Sequence, residues 1–152
     1  MKKLLVLIVL LAVSSAILQS GCKKKEEETP TPTNIFTAKI DGVPFTAAIP
    51  LAQMGLGMIQ IGGMGSGGSM QVILNYQATT GTYIVTDDTE EAIYWSSGQD
   101  SYWPGTGSIV VTKHDVANNK IIGTFTATLE ELSTSAKINI TNGVFNLTYV
   151  KH

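Results

Sequence analysis

Phe36-Thr-Ala-Lys-Ile-Asp-Gly-Val-Pro-Phe45 is the stretch on which the fold class turns. Phe36, Ala38 and Ile40 alternate with Thr37 and Lys39, and after Asp41-Gly42 the apolar Val43, Phe45 and Ala47 alternate with Pro44 and Thr46. A period of two places the apolar side chains on one face of a strand. Asp-Gly between two such runs supplies the positive φ angles of a two-residue type I′ turn. Pairing across that turn sets Ile40 beside Val43, Ala38 beside Phe45 and Phe36 beside Ala47, with all six apolar side chains on one face. Pro44 has no N–H to give to a ladder, so it marks an edge strand or a bulge.

The same period runs outward from this hairpin. Strands are expected near Met58 to Ile61, Met70 to Gln77, Thr82 to Thr86, Ala92 to Ser96, Ser108 to Lys113 and Ile121 to Leu129. Near the C-terminus, Asn142-Gly143 reads as a second two-residue turn that would set Ile140 beside Phe145 and Ile138 beside Leu147. Glu130 to Ala136 has room for a helical turn at most. The expectation is an all-β domain, a single antiparallel sandwich or a partly closed barrel of about 8–10 short strands. Alternation reports which face is buried, and it is compatible with either closure.

Composition narrows the function classes. Charged residues make up 14% of the 152-residue chain, too few for a coiled coil or a disordered chain. The formal net charge is −2 and arginine is absent, which removes the basic footprint that nucleic-acid binding requires.

Residues 1–21 read as a cleavable export signal: Lys2 and Lys3, an apolar run from Leu4 to Val13, then small and polar residues through Gly21. A spanning helix would need about 20 consecutive apolar residues, and Ser14 and Ser15 interrupt the run. Cys22 is the single cysteine, so no intramolecular disulfide can form. Residues 22–33 read as this cysteine followed by a polar stalk, Lys23-Lys24-Lys25-Glu26-Glu27-Glu28 and then Thr29-Pro30-Thr31-Pro32-Thr33. The Pro-Thr stretch favours extended geometry, at about 3 Å per residue. Residues 34–152 form the all-β domain.

Cys22 after Ser20-Gly21 resembles the lipobox of bacterial lipoproteins, in which the thiol is acylated and the leader is cleaved before it; Gln19 stands where that motif usually has an aliphatic residue, with Leu18 one place earlier. Lys25-Glu26-Glu27 resembles the surface-export tag of Bacteroidetes-type lipoproteins, and reads equally as an ordinary charged linker. The Phe36–Phe45 run, Gly81-Thr-Tyr-Ile-Val85, Ser108-Ile-Val-Val-Thr-Lys-His-Asp115, Ile122-Gly-Thr-Phe-Thr126 and Ile140-Thr-Asn-Gly-Val-Phe145 are similar to small Bacteroidetes-type lipoproteins of unknown function. That resemblance implies an outer-membrane lipoprotein, on the periplasmic or surface-exposed face, with membrane attachment through the lipid. It supplies no catalytic residue.

Several clusters carry chemistry in principle. Gly63-Met-Gly65-Ser-Gly-Gly68 has the spacing of a dinucleotide fingerprint, but a strand follows where that motif needs a helix, so it reads as a hairpin loop. Met54, Met58, Met64 and Met70 lack the Cys or His of a copper site and read as packing residues. Asp87, Asp88 and Glu90 offer oxygen ligands for calcium without the alternation of an EF-hand loop, so an acidic turn is the simpler reading. His114 beside Asp115 has the makings of an oriented base, and with the carboxylates it defines the alternative function, an exported hydrolase. No serine elbow accompanies it, and nothing calls for a cofactor.

The aromatic constellation carries most. Tyr94-Trp95, a Ser-Ser-Gly-Gln-Asp-Ser loop and Tyr102-Trp103 put flat apolar faces beside hydroxyl, amide and carboxylate groups, a composition suited to a sugar ring or an envelope protein. The expected contact residues are Trp95, Asp100, Tyr102 and Trp103. The competing reading is that one member of each aromatic pair is core. The sequence thus implies a lipid-anchored, noncatalytic binding or structural module whose ligand is a glycan or a protein.

Overall fold

The computed structural model describes residues 34–98 and 100–152, so the leader, Cys22 and the stalk lie outside the described residues. The strands are β1 (Ile35–Ile40), β2 (Val43–Gly55), β3 (Met58–Gly65), β4 (Gly68–Asn75), β5 (Gly81–Thr86), β6 (Ala92–Ser97), β7 (Asp100–Asp115), β8 (Lys120–Glu131), β9 (Lys137–Thr148) and β10 (Val150–Lys151). Eight of them close into an antiparallel barrel in the order β1-β2-β3-β4-β6-β7-β8-β9, and β9 returns to β1. β5 pairs the second half of β7, and β10 adds a short parallel pairing to β2. Closure as a barrel decides between the two architectures left open by alternation.

The first hairpin forms as read. Ile40 faces Val43 and Ala38 faces Phe45 in the ladder, and Asp41 and Gly42 take φ 46° and 82°, the left-handed values that a type I′ turn needs. Phe36, Ala38, Phe45 and Ala47 are buried, but Ile40 is half-buried and Val43 exposed. The pair nearest the turn stands at the barrel mouth, past the core. At Pro44, β2 has β1 on one side, while its ladder with β3 begins only at Ala47, so the proline meets the edge condition there.

Asn142-Gly143 does not turn the chain. β9 runs straight through it, and Asn142 keeps φ 51° inside the strand. Between the β8 partners Phe125 and Ala127, β9 spends one extra residue, and it does so again between the β1 partners Thr37 and Lys39. The dipeptide is a β-bulge. A hairpin there would have left part of one edge of β1 and of β8 open; the continuous strand satisfies both, and two-sided pairing outweighs the local turn preference. Gly143 is required for a second reason: a Cβ on it would lie 2.5 Å from the Phe125 carbonyl oxygen and 2.6 Å from its ring.

Two strands are longer than alternation suggests. β2 continues to Gly55 because a bulge at Ala48 shifts the inward parity from Phe45 and Ala47 to Ala52. β7 begins at Asp100, so Tyr102-Trp103 is strand and not loop. Inside the ring the aromatics form a chain. Trp95 meets Phe45 edge-on at 5.3 Å, Phe45 meets Phe36 at 6.3 Å, and Phe36 stacks on Phe125 at 5.4 Å, which in turn lies 6.4 Å from Phe145. Trp95 fits because Gly68 opposite has no side chain; a Cβ there would lie 2.8 Å from its ring. An eight-stranded barrel is either filled by its own side chains or holds one small ligand. Rings and aliphatics fill this one.

The β8–β9 connection is a turn in place of the helical turn expected at Glu130 to Ala136. Glu131 organises it: its N–H donates to the Ala136 carbonyl at 2.8 Å, and its carboxylate accepts from the backbone and hydroxyl of Ser133 and of Thr134. These donors, the Thr134 hydroxyl foremost, pull its pKa from 4.5 to about 2.

Two outcomes follow. Gly143→Ala lowers stability by about 2–3 kcal/mol through overpacking against Phe125, whereas Gly55→Ala, with open space around it, stays within about 0.5 kcal/mol; denaturant midpoints check both. Because the folded-state pKa of Glu131 lies below its unfolded value, its contribution is complete above about pH 4.5 and is lost as pH falls toward 2. Glu131→Gln removes that component, so the stability difference between parent and variant narrows over this window in acid titration. Parallel pH profiles would count against the role.

Candidate ligand groove on the barrel wall

Alternation sends every second residue of β6 and β7 outward. Trp95 and Tyr102 pair across these strands and point in; Tyr94 and Trp103 point out and meet edge-to-face at 5.3 Å and 87°. Neighbouring strands extend this outer row. Gln71 on β4 pairs with Tyr94, Trp103 on β7 pairs with Glu130, and Glu130 pairs with Lys137, whose ammonium lies 3.4 Å from its carboxylate. The salt bridge is solvent-exposed on both sides and contributes little to stability.

Rows of hydroxyls flank the aromatic row. On one side Ser69, Ser96 and Ser101 stand in register, with the first two hydroxyls 2.8 Å apart. On the other, Thr86, Thr106 and Thr128 are in register, and Thr128 donates to Asn139 Oδ1 at 3.1 Å. Between the aromatic and threonine rows the wall is hollowed into a groove of about 560 Å³, lined among others by Asp87, Thr89, Tyr94, Trp103 and Pro104. That volume falls within the range of about 300–1,000 Å³ usual for small-molecule sites. A shallower depression of about 200 Å³ lies on the serine side and shares Tyr94 and Trp103. The two rings are therefore a ridge between two hollows.

Of the expected contact residues, Trp103 is 46% exposed and sits on the ridge. Trp95 is 6% exposed and belongs to the core, which corrects its assignment as a contact; Tyr94, its chain neighbour, takes the outward place. Tyr102 is half-buried and packs against the core, and Asp100 is exposed at the β6–β7 turn. The hydroxyl rows were missed, because their members lie on strands far apart in the chain and only register brings them together.

The acidic loop does not gather its carboxylates. Thr86 and Thr89 hold it: the Thr86 N–H donates to Thr89 Oγ1 at 3.0 Å, and Thr89 Oγ1 donates to the Glu91 carbonyl at 3.0 Å. Asp87 faces the groove, Asp88 is exposed, and Glu90 accepts from Asn75 at 3.2 Å. Among the described residues no three His, Cys, Asp or Glu side chains converge as metal ligands.

His114 and Asp115 also take separate partners. His114 Nδ1 lies 2.6 Å from the Ala78 carbonyl; a carbonyl only accepts, so that nitrogen carries the proton. Nε2 lies 3.0 Å from the Tyr149 hydroxyl and accepts from it when the ring is neutral. Burial, then the Asp115 charge, raises the Tyr149 pKa. Asp115 accepts from the side chain and backbone of Asn118 at 2.8 and 3.1 Å, which lowers its own pKa. The imidazole braces the β4–β5 loop against the C-terminal segment, and the oriented pair read from the sequence does not form. Glu131 lines the groove but is held ionised by its turn, so it has no proton to give near neutral pH.

No curated protein and no solved structure matches the chain. A family model described as a domain of unknown function, DUF6252, matches residues 32–147, which takes in β1 to β8 and nearly all of β9, and the chain belongs to that family.

Proposed function

We propose that this protein is a lipid-anchored, noncatalytic binding module of the outer membrane or cell surface, and that its ligand is a glycan held on the outer wall of the barrel. The observation that carries the reading is the Tyr94–Trp103 ridge, an exposed aromatic pair shared by two hollows and bordered by rows of hydroxyls. A sugar ring has apolar C–H faces and a polar rim. Aromatic faces serve the first, and the serine and threonine rows, Gln71 and the Glu130–Lys137 pair serve the second.

The anchoring part of the reading rests on Cys22 at the end of an export signal. The chain enters β1 at Asn34, and Tyr94 and Trp103 lie toward the other end of the barrel.

On a glycan panel, Trp103→Ala and Tyr94→Ala each weaken the best ligand by about tenfold, while Asp100→Ala retains it. Unchanged binding in both aromatic variants removes the site. Mass spectrometry of the mature protein reads the anchor: an acylated Cys22 as the first residue is expected, and an unmodified thiol overturns it.

A further inference from the structure

The barrel is electrically polarised along its length, and apolar tips are exposed at both ends, with Val43, Met64 and Leu132 at the far one. At the end where Asn34 leads into β1 lie the β2–β3 turn, the β4–β5 loop, the β7–β8 turn and β10. Lys113, Lys120 and Lys151 sit there with two acidic side chains, Asp115 and Glu90, the latter held by Asn75 at the end of β4. The rest of the described barrel sets Lys39 and Lys137 against seven acidic side chains.

The exposed apolar residues of this end are few and costly. Leu56 is fully exposed and takes φ 51° in the β2–β3 turn. A residue with a side chain is strained in that conformation, and Asn or Gly would suit the turn better. Val116 in the β7–β8 turn and Val150 on β10 are each more than half exposed. Hydrogen bonds join these tips into one rim. The Tyr149 N–H donates to the Asn119 carbonyl at 2.8 Å, the His152 N–H donates to the Met54 carbonyl at 3.1 Å, and Val150 pairs with Gln53.

We infer that this rim docks on the anionic headgroup layer of the membrane to which the protein is tethered. The inference rests on the anchoring reading above and adds an orientation to it. Lysines near an anionic surface each contribute about 1 kcal/mol, close to fivefold in a binding equilibrium, and apolar turn tips enter the headgroup boundary. Such contacts are weak singly. A tether joined at the same end raises their effective concentration, so weak contacts suffice. A second copy is the wrong occupant, because two such rims would face each other with like charge.

The test uses the full-length acylated protein reconstituted into vesicles of phosphatidylethanolamine and phosphatidylglycerol carrying brominated acyl chains. Val150→Trp places a reporter on the rim, and Val116→Trp places a second on the neighbouring turn. Bromine quenches either reporter strongly, while the parent emission, from buried Trp95 and from Trp103 on the groove, changes little. Lys120→Glu with Lys151→Glu lowers the docked-to-free ratio by at least about 25-fold, and so does replacement of phosphatidylglycerol by neutral lipid in direction. Reporters that stay unquenched on protein that floats with the vesicles overturn the docking and leave the anchor standing. Protein that fails to float overturns both.

Discussion

Ladder bonds on both edges of β1 hold the molecule in its shape. Ile40 faces Val43 of β2 on one side and Ile140 of β9 on the other, so a strand of 6 residues closes a ring whose longest member has 16. Closure removes the open edges that a flat sheet would expose, and it limits the interior to what side chains fill. Phe36 stands at that junction, against Phe45 from β2 and Phe125 from β8. Because the aromatic chain occupies the lumen, the interior leaves no room for a ligand, although the fold itself is of a kind that elsewhere encloses ligands.

Much of this was legible in the residues and some was not, for identifiable reasons. The Asp41-Gly42 hairpin, its register and the all-β class follow from alternation and turn chemistry, which are local. The same local rule failed at Asn142-Gly143. A dipeptide that readily takes positive φ serves a bulge as well as a turn, and the choice depended on whether β1 and β8 were both waiting for partners. Those strands lie about 100 and 15 residues upstream in the chain, outside any local window. The bulge at Ala48 hid the second half of β2 by the same means, since a shift of parity reads as the end of a strand.

Parity also explains what happened to the aromatic constellation. Adjacent residues on a strand face opposite ways, so Tyr94-Trp95 and Tyr102-Trp103 had to divide one inside and one outside. Which member went inside depended on the register of β6 with its neighbours, and Gly68 gives Trp95 room, since a Cβ there would meet its ring at 2.8 Å. The composition around the pairs points to the wall on which the two outward rings, Tyr94 and Trp103, stand. The expected contact set was half core because pairing was not yet known. The serine and threonine rows carry no sequence signal of their own: Ser69, Ser96 and Ser101 become neighbours only through two ladders.

Under the glycan reading proposed above, the rigidity of this wall bears on how it would select ligands. Tyr94, Trp103, Thr106, Thr128 and Glu130 all stand on strands, where paired backbone fixes the direction of each side chain before any ligand arrives, so little ordering cost is left to be met on binding. The one irregular contributor is the β5–β6 loop, which brings Asp87 to the groove and is pinned by the Thr86–Thr89 hydrogen bonds. Aromatic stacking tolerates many sugars, since most rings have an apolar face. Discrimination among them must therefore come from the polar rim, and within that rim Asp87 and the Glu130–Lys137 pair bring the charge differences that hydroxyl rows lack. In that reading affinity belongs to the strands, and selectivity to the loop and the ion pair at the groove's borders.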